Sequence, residues 1–227
     1  MGLQLRMCYG LIMAFWDELN GWYVEEARKF QEIPFVRRAF AGGLTRPEYV
    51  HFLKDYYHFV RSAGPVYSAC AAKIDYRFAR VRDWFAKCAF KEIDHDRFVV
   101  SDLKALGIPE AETRQSRPGT AMDALCCYNF GFIEQHHPVG LLGTPFLMGK
   151  LSAVYSLHAS QKIKEALNLK EGGASFFEAH GHLDREQPED VGLVIQSIAE
   201  TDMQAEIFLN AKTLFALYVG FLRSLSD

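Results

Sequence analysis

The chain has 227 residues, enough to bury a substantial core as one domain spanning 1–227. Apolar residues make up 49% and prolines number only 8, which excludes a disordered or linker-like chain. A net charge of −3 gives no electrostatic case for nucleic acid or an anionic membrane surface as partner.

From Met1 to Trp16 the chain is apolar apart from Arg6, lacks a small-residue cleavage site and runs into Asp17-Glu18. It reads as a first helix with a frayed start, or one whose true start is Met7 or Met13, rather than as a signal peptide. Thr45-Arg46-Pro47-Glu48 is a capping box with Pro in the first turn, and predicts a long helix to about residue 73. A second long helix is predicted from about residue 76 to 106, ended by Gly107-Ile108-Pro109. After a polar connection over 110–119, helix resumes near 120, breaks at His137-Pro138 and continues through Gly143 to about 167. Gly172-Gly173 breaks the chain, a short helix carries His180 and Asp184, and Pro188 opens a last helix reaching about 225. With no β-alternation and no internal repeat, the expected fold class is all-α, a bundle of about seven helices. No uninterrupted apolar run reaches the roughly 18 residues of a membrane span, so none is expected. The five cysteines, Cys8, Cys70, Cys88, Cys126 and Cys127, follow neither metal-ligand nor disulfide spacing, as in a reduced, cytoplasmic protein.

Two short patterns carry chemistry. Glu92 and His95 are i and i+3, and His180 and Asp184 are i and i+4, so each pair shares a helix face. Either pair alone reads as a solvated or salt-bridged face. Phe90, Ile93, Phe98 and Val99 around the first, and Phe176-Phe177 before the second, suggest instead ligands projected into a core. Glu92, His95 and His180 would form the two-imidazole, one-carboxylate set that holds Fe(II) and leaves positions open for dioxygen and substrate. His51, Asp55 and His58 repeat a helical spacing, but His51 and His58 lie about 10 Å apart along the axis, too far for one ion. In Asp55-Tyr56-Tyr57-His58 the expectation is a set of substrate-pocket groups (Asp55, Tyr57 and His58), with Asp55 alternatively a core carboxylate bonded to a Tyr hydroxyl. His136 and His137, at a helix break, and His182, about 200° around the helix from His180, are expected to stay off the site. Cys126-Cys127 reads as small apolar filler, and Glu134 has no assigned partner.

Pro34-Phe35, then Leu44-Thr45-Arg46-Pro47-Glu48-Tyr49 and Phe52-Leu53-Lys54-Asp55-Tyr56-Tyr57-His58, resemble the opening of haem-oxygenase-like proteins of the thiaminase II and iron-containing oxidase kind. Glu92-Ile93-Asp94-His95, running on to Asp102-Leu103-Lys104-Ala105-Leu106-Gly107, is similar to the Glu-x-x-His segment of the diiron oxidases and oxygenases of that fold. The resemblance covers almost the whole chain and implies a haem-oxygenase-like bundle. Two irons are held in that family. Carried over, Glu92, His95, His180 and Asp184 match its ligands, whereas a middle Glu falls near Met148-Gly149 and a last His on Gln187. The resemblance therefore implies one complete iron position beside an incomplete second, binding one or at most two Fe(II) ions. Dioxygen and a small metabolite would be the partners, and a homodimer is compatible with the sequence. The alternatives are a metal-free enzyme like thiaminase II, whose reactive Cys does not fall cleanly on Cys126 or Cys127, and a non-catalytic binder of small molecules. Haem oxygenation is disfavoured because no His precedes His51.

Overall fold

The computed structural model describes the backbone of residues 2–169, 172–186 and 188–225, and the side chains among these except at 2–9, 11 and 183–190. Helices form wherever an apolar stripe and a start signal coincide. The Thr45 hydroxyl accepts from the Glu48 N–H while the Glu48 carboxylate accepts from the Thr45 N–H, and this reciprocal cap starts α3 (Arg46–Lys73) behind α1 (Gly2–Gln31) and α2 (Pro34–Phe40). Gly107, at φ +84°, follows the last turn of α5 (Asp96–Ala105), where a left-handed residue ends a helix without strain. The His137-Pro138 break becomes a 3-10 turn, Pro138–Leu142, between α7 (Thr120–Gln135) and α8 (Gly143–Leu167).

The described residues contain eleven α-helices rather than about seven, and no strand. Two of the additional breaks, at 92–95 and 196–200, carry no Pro or Gly to announce them. The predicted helix over 76–106 divides into a 3-10 turn, Tyr76–Phe78, then α4 (Ala79–Lys91) and α5. The 110–119 connection contains α6 (Glu110–Gln115). Beyond α9 (Ser175–Glu186), the expected last helix is two, α10 (Pro188–Ile195) and α11 (Thr201–Ser224).

Long helices α3, α8 and α11 form the frame, with α11 against α7, α8 and the 3-10 turn, and α3 against α4, α5 and α7. Where α8 begins, a Cβ on Gly143 would stand 2.5 Å from Ile207 O and 2.6 Å from Ala211 N, so only glycine lets the two backbones cross there. Tyr49, Tyr57, Phe85, Phe146 and Phe221 are fully buried, each adding about 1.5–3 kcal/mol of transfer free energy. The expectation of no membrane-length apolar segment needs one correction: α11 is long and apolar enough to cross a membrane by length and composition. Counting only uninterrupted apolar residues missed it, because Gln204 and Asn210 interrupt the run. Both are buried here, and Gln204 Nε2 donates to Ile198 O at 2.9 Å, so in this fold α11 is a core helix.

Candidate metal centre

Glu92 and His95 sit on the turn between α4 and α5, not on one helix. Glu92 caps α4, Asp94 adopts a left-handed conformation at φ +68° that Asp tolerates better than most residues, and His95 begins α5. Phe90 and Ile93, expected among core neighbours, are 77% and 58% exposed because the turn swings them outward. The end of α4 packs on α3 at Gly64, where even an added Cβ would make only ordinary contact, 3.5 Å from Ala89 O and 3.8 Å from Glu92 Cβ.

His180 arrives on α9, whose start is fixed from α5. The fully buried Asp102 carboxylate accepts from the Ser175 N–H at 2.8 Å, the Ser175 hydroxyl at 2.7 Å and the Phe176 N–H at 2.9 Å. As acceptor, the carboxylate satisfies two N-terminal N–H groups of α9 and complements its dipole. Burial nonetheless raises the Asp102 pKa, and the three hydrogen bonds only partly offset it. One carboxylate therefore ties the helix that begins at His95 to the helix that carries His180. Gly181 brings α9 close to α8, since a Cβ there would meet Leu157 Cγ at 2.7 Å.

Glu92, His95 and His180 thus converge, each offering a ligand atom within 4.8 Å of the others. Glu92 Oε2 lies 2.9 Å from His95 Nδ1, and the two imidazole centroids are 5.0 Å apart at 85°. Donors bound at about 2.1 Å and at right angles on one ion are about 3 Å apart, and about 4.2 Å when opposite, so small inward shifts bring all three onto one cation. His180 Nδ1 lies 3.1 Å from Phe176 O; donation there leaves the Nε2 lone pair free to ligate. Burial holds the His180 imidazole below its ordinary pKa, Glu92 opposing and His95 reinforcing the shift, which keeps the ring in the neutral form a metal requires. Two imidazoles and a carboxylate fit Fe(II). The side chain of Asp184 and all of Gln187 lie outside the described residues.

The trio borders a cavity of about 650 Å³ whose largely apolar wall includes the rings of Phe52, Tyr56, Phe176 and Tyr218. Asp55, Tyr57 and His58 are not among the residues lining it. Asp55 Oδ1 accepts from the Gly119 N–H at 3.0 Å, where α7 begins, and His58 Nε2 lies 3.0 Å from the Ser116 hydroxyl. Tyr57 is almost fully buried. His51 and His182 are exposed, while His136 stacks on Phe132 and pairs with Glu206. His137 accepts from the Val139 N–H, and Glu134 pairs with Lys73. Cys126 lies off the cavity wall, and burial pushes its thiol up to about 12. Among the described residues no cysteine forms a disulfide. Two residues that sequence reasoning passed over matter most: Asp102, whose capping role has no signature seventy residues from its partners, and Lys150, which lines the cavity.

By sequence, none of the curated proteins matches the chain. By structure, it is similar to a domain of unknown function with a heme oxygenase-like fold from Shewanella denitrificans (17% identity, TM-score 0.78, covering 98% of this chain and 91% of that one). It is similar to a TenA homolog from Pseudomonas syringae pv. tomato (12% identity, TM-score 0.73, 97% and 91% covered). The heme oxygenase-1 of the cyanobacterium Synechocystis, solved with heme, also superposes (17% identity, TM-score 0.69, 95% and 91% covered). At such identities these likenesses establish the haem-oxygenase-like fold alone. The profile of the family described as "Iron-containing redox enzyme" matches residues 50–219, a span that holds all three converging residues, and the chain belongs to that family.

Proposed function

We propose that Glu92, His95 and His180 hold one Fe(II) ion, and that the protein is a non-haem iron, dioxygen-dependent oxidase or oxygenase of a small, largely apolar metabolite. The observation that carries this reading is the convergence of two imidazoles and a carboxylate within 4.8 Å at the edge of an aromatic cavity. When bound, the iron supplies the electrons that activate dioxygen. The chain's own groups do the rest. The contact with Phe176 O orients the His180 ring, and burial keeps it neutral. Asp102 sets the spacing of the two histidine-bearing helices. The aromatic wall excludes water and takes up the apolar body of the substrate. Among the described residues Cys70, Cys88, Cys126 and Cys127 are free thiols, which suits a cytoplasmic setting.

A metal-free, thiaminase II-like activity needs a reactive thiol in the cavity. Cys126 does not suit that role, whereas Cys88 does reach the cavity wall. Anaerobic titration of chelator-treated protein with Fe(II) separates the readings. It should saturate at about one ion per chain, given one complete donor trio. His95→Ala or His180→Ala should abolish uptake, while His136→Ala and His182→Ala should not. Absent uptake, together with a turnover of pyrimidine substrates that Cys88→Ser removes, would replace the iron reading with the thiol one.

A further inference from the structure

The cavity holds a cation that the iron chemistry does not use. Lys150, on α8, is half-buried, and its Nζ stands 5.7 Å from the ring of Trp16, 5.3 Å from Tyr23 and 5.4 Å from Phe146. Three ring faces surround the ammonium, and among the described residues no side chain accepts a hydrogen bond from it and no carboxylate pairs with it. Desolvation lowers the lysine's pKa, as expected for an ammonium drawn partly out of water. Beside it, the Tyr23 hydroxyl is buried and has no hydrogen-bond partner, although Tyr23 also lines the cavity. Burial raises the Tyr23 pKa, so the phenol stays protonated and is a donor. A buried donor left without an acceptor carries an uncompensated desolvation cost, which a ligand acceptor would recover.

We propose that Lys150 and Tyr23 form an anion subsite of this cavity, and that its ligand is an amphipathic monocarboxylate whose apolar body lies along the aromatic wall. As a statement about substrate, this rests on the oxidase reading above. As a statement about binding it does not, because neither residue belongs to the ligand trio. The carboxylate takes a hydrogen bond from the ammonium and one from the phenol, while the hydrocarbon or aryl body displaces water from an apolar surface.

The test uses the chelator-treated full chain, with 4-phenylbutyrate as probe and 4-phenylbutanol as its neutral counterpart, and binding followed by calorimetry. The carboxylate should bind roughly tenfold or more tighter than the alcohol, the scale of a charged hydrogen bond. Lys150→Met should bring the two within about twofold, Lys150→Arg should keep most of the preference, and Tyr23→Phe should weaken the carboxylate severalfold. Equal binding of the two probes by the unsubstituted protein overturns the subsite. So does failure to bind either probe, or a preference that survives Lys150→Met. His95→Ala should retain the preference while losing iron, so failure of the metal reading and failure of the subsite give different results.

Discussion

Single residues in this protein do work that their neighbours in sequence do not announce. Asp102 looks like one charge among several on α5, yet it is fully buried and accepts three hydrogen bonds from the start of α9. Asp102→Asn turns an amide donor toward these N–H groups and should lower unfolding free energy by about 2 kcal/mol in urea titration. The same variant should loosen iron binding, whereas Ser175→Ala, which removes only the hydroxyl donor, should cost less on both counts. His58 carries a pH dependence. Desolvation lowers its pKa, with Asp55 pulling the other way, so the folded state resists a proton that the unfolded chain accepts below about pH 6.5. Stability is therefore full above that value and falls as pH drops beneath it; His180, shifted in the same direction, adds to the fall. His58→Gln should flatten part of the acid limb of the stability profile, and an unchanged limb would assign it elsewhere. The grouping of Glu92, His95 and His180 was legible in sequence at this scale. The surroundings of Asp55 and His58 were not, because a helical spacing cannot distinguish a wall of a cavity from an anchor for residues 116–119. Lys150 was invisible for a similar reason: two of its three rings come from α1, more than a hundred residues away.

At the level of elements, start and stop signals were readable wherever side-chain chemistry makes them. The Thr45–Glu48 cap and the positive φ at Gly107 lie where the sequence puts them. The turn after α4 escaped notice because it uses Asp94, a residue equally at home on a helix surface. Glu92 and His95 are neighbours in either geometry, so the right pair emerges from a wrong helix. Close helix crossings are likewise silent in sequence, since a glycine inside a helix looks merely unfavourable. Gly143 and Gly149 on α8 make the contrast testable. Gly143→Ala forces backbone apart against Ile207 and Ala211 and should destabilise by about 1–3 kcal/mol. Gly149→Ala meets nothing within 4 Å and should raise the thermal midpoint, worth about 0.5–1 kcal/mol through the helix interior alone. Equal effects at the two positions would contradict the crossing geometry.

Across the whole molecule, the haem-oxygenase-like bundle supplies a frame that many chemistries share, and the trio stands at one edge of its cavity. The trio is not carried by one rigid body. His95 and His180 are tied together through α5, Asp102 and α9, while Glu92 stands at the end of α4, across the turn that holds Asp94. An ion shared by all three would fasten α4 to the other two helices across that turn. Phe90, 77% exposed just before that joint, offers a protease with an aromatic preference an accessible bond. Chymotrypsin should nick metal-free protein after Phe90, and stoichiometric Fe(II) under anaerobic conditions should slow the cut in proportion to the population it holds closed. In His180→Ala the rate should be the same with and without iron, so the stability of one peptide bond would report whether the centre is filled.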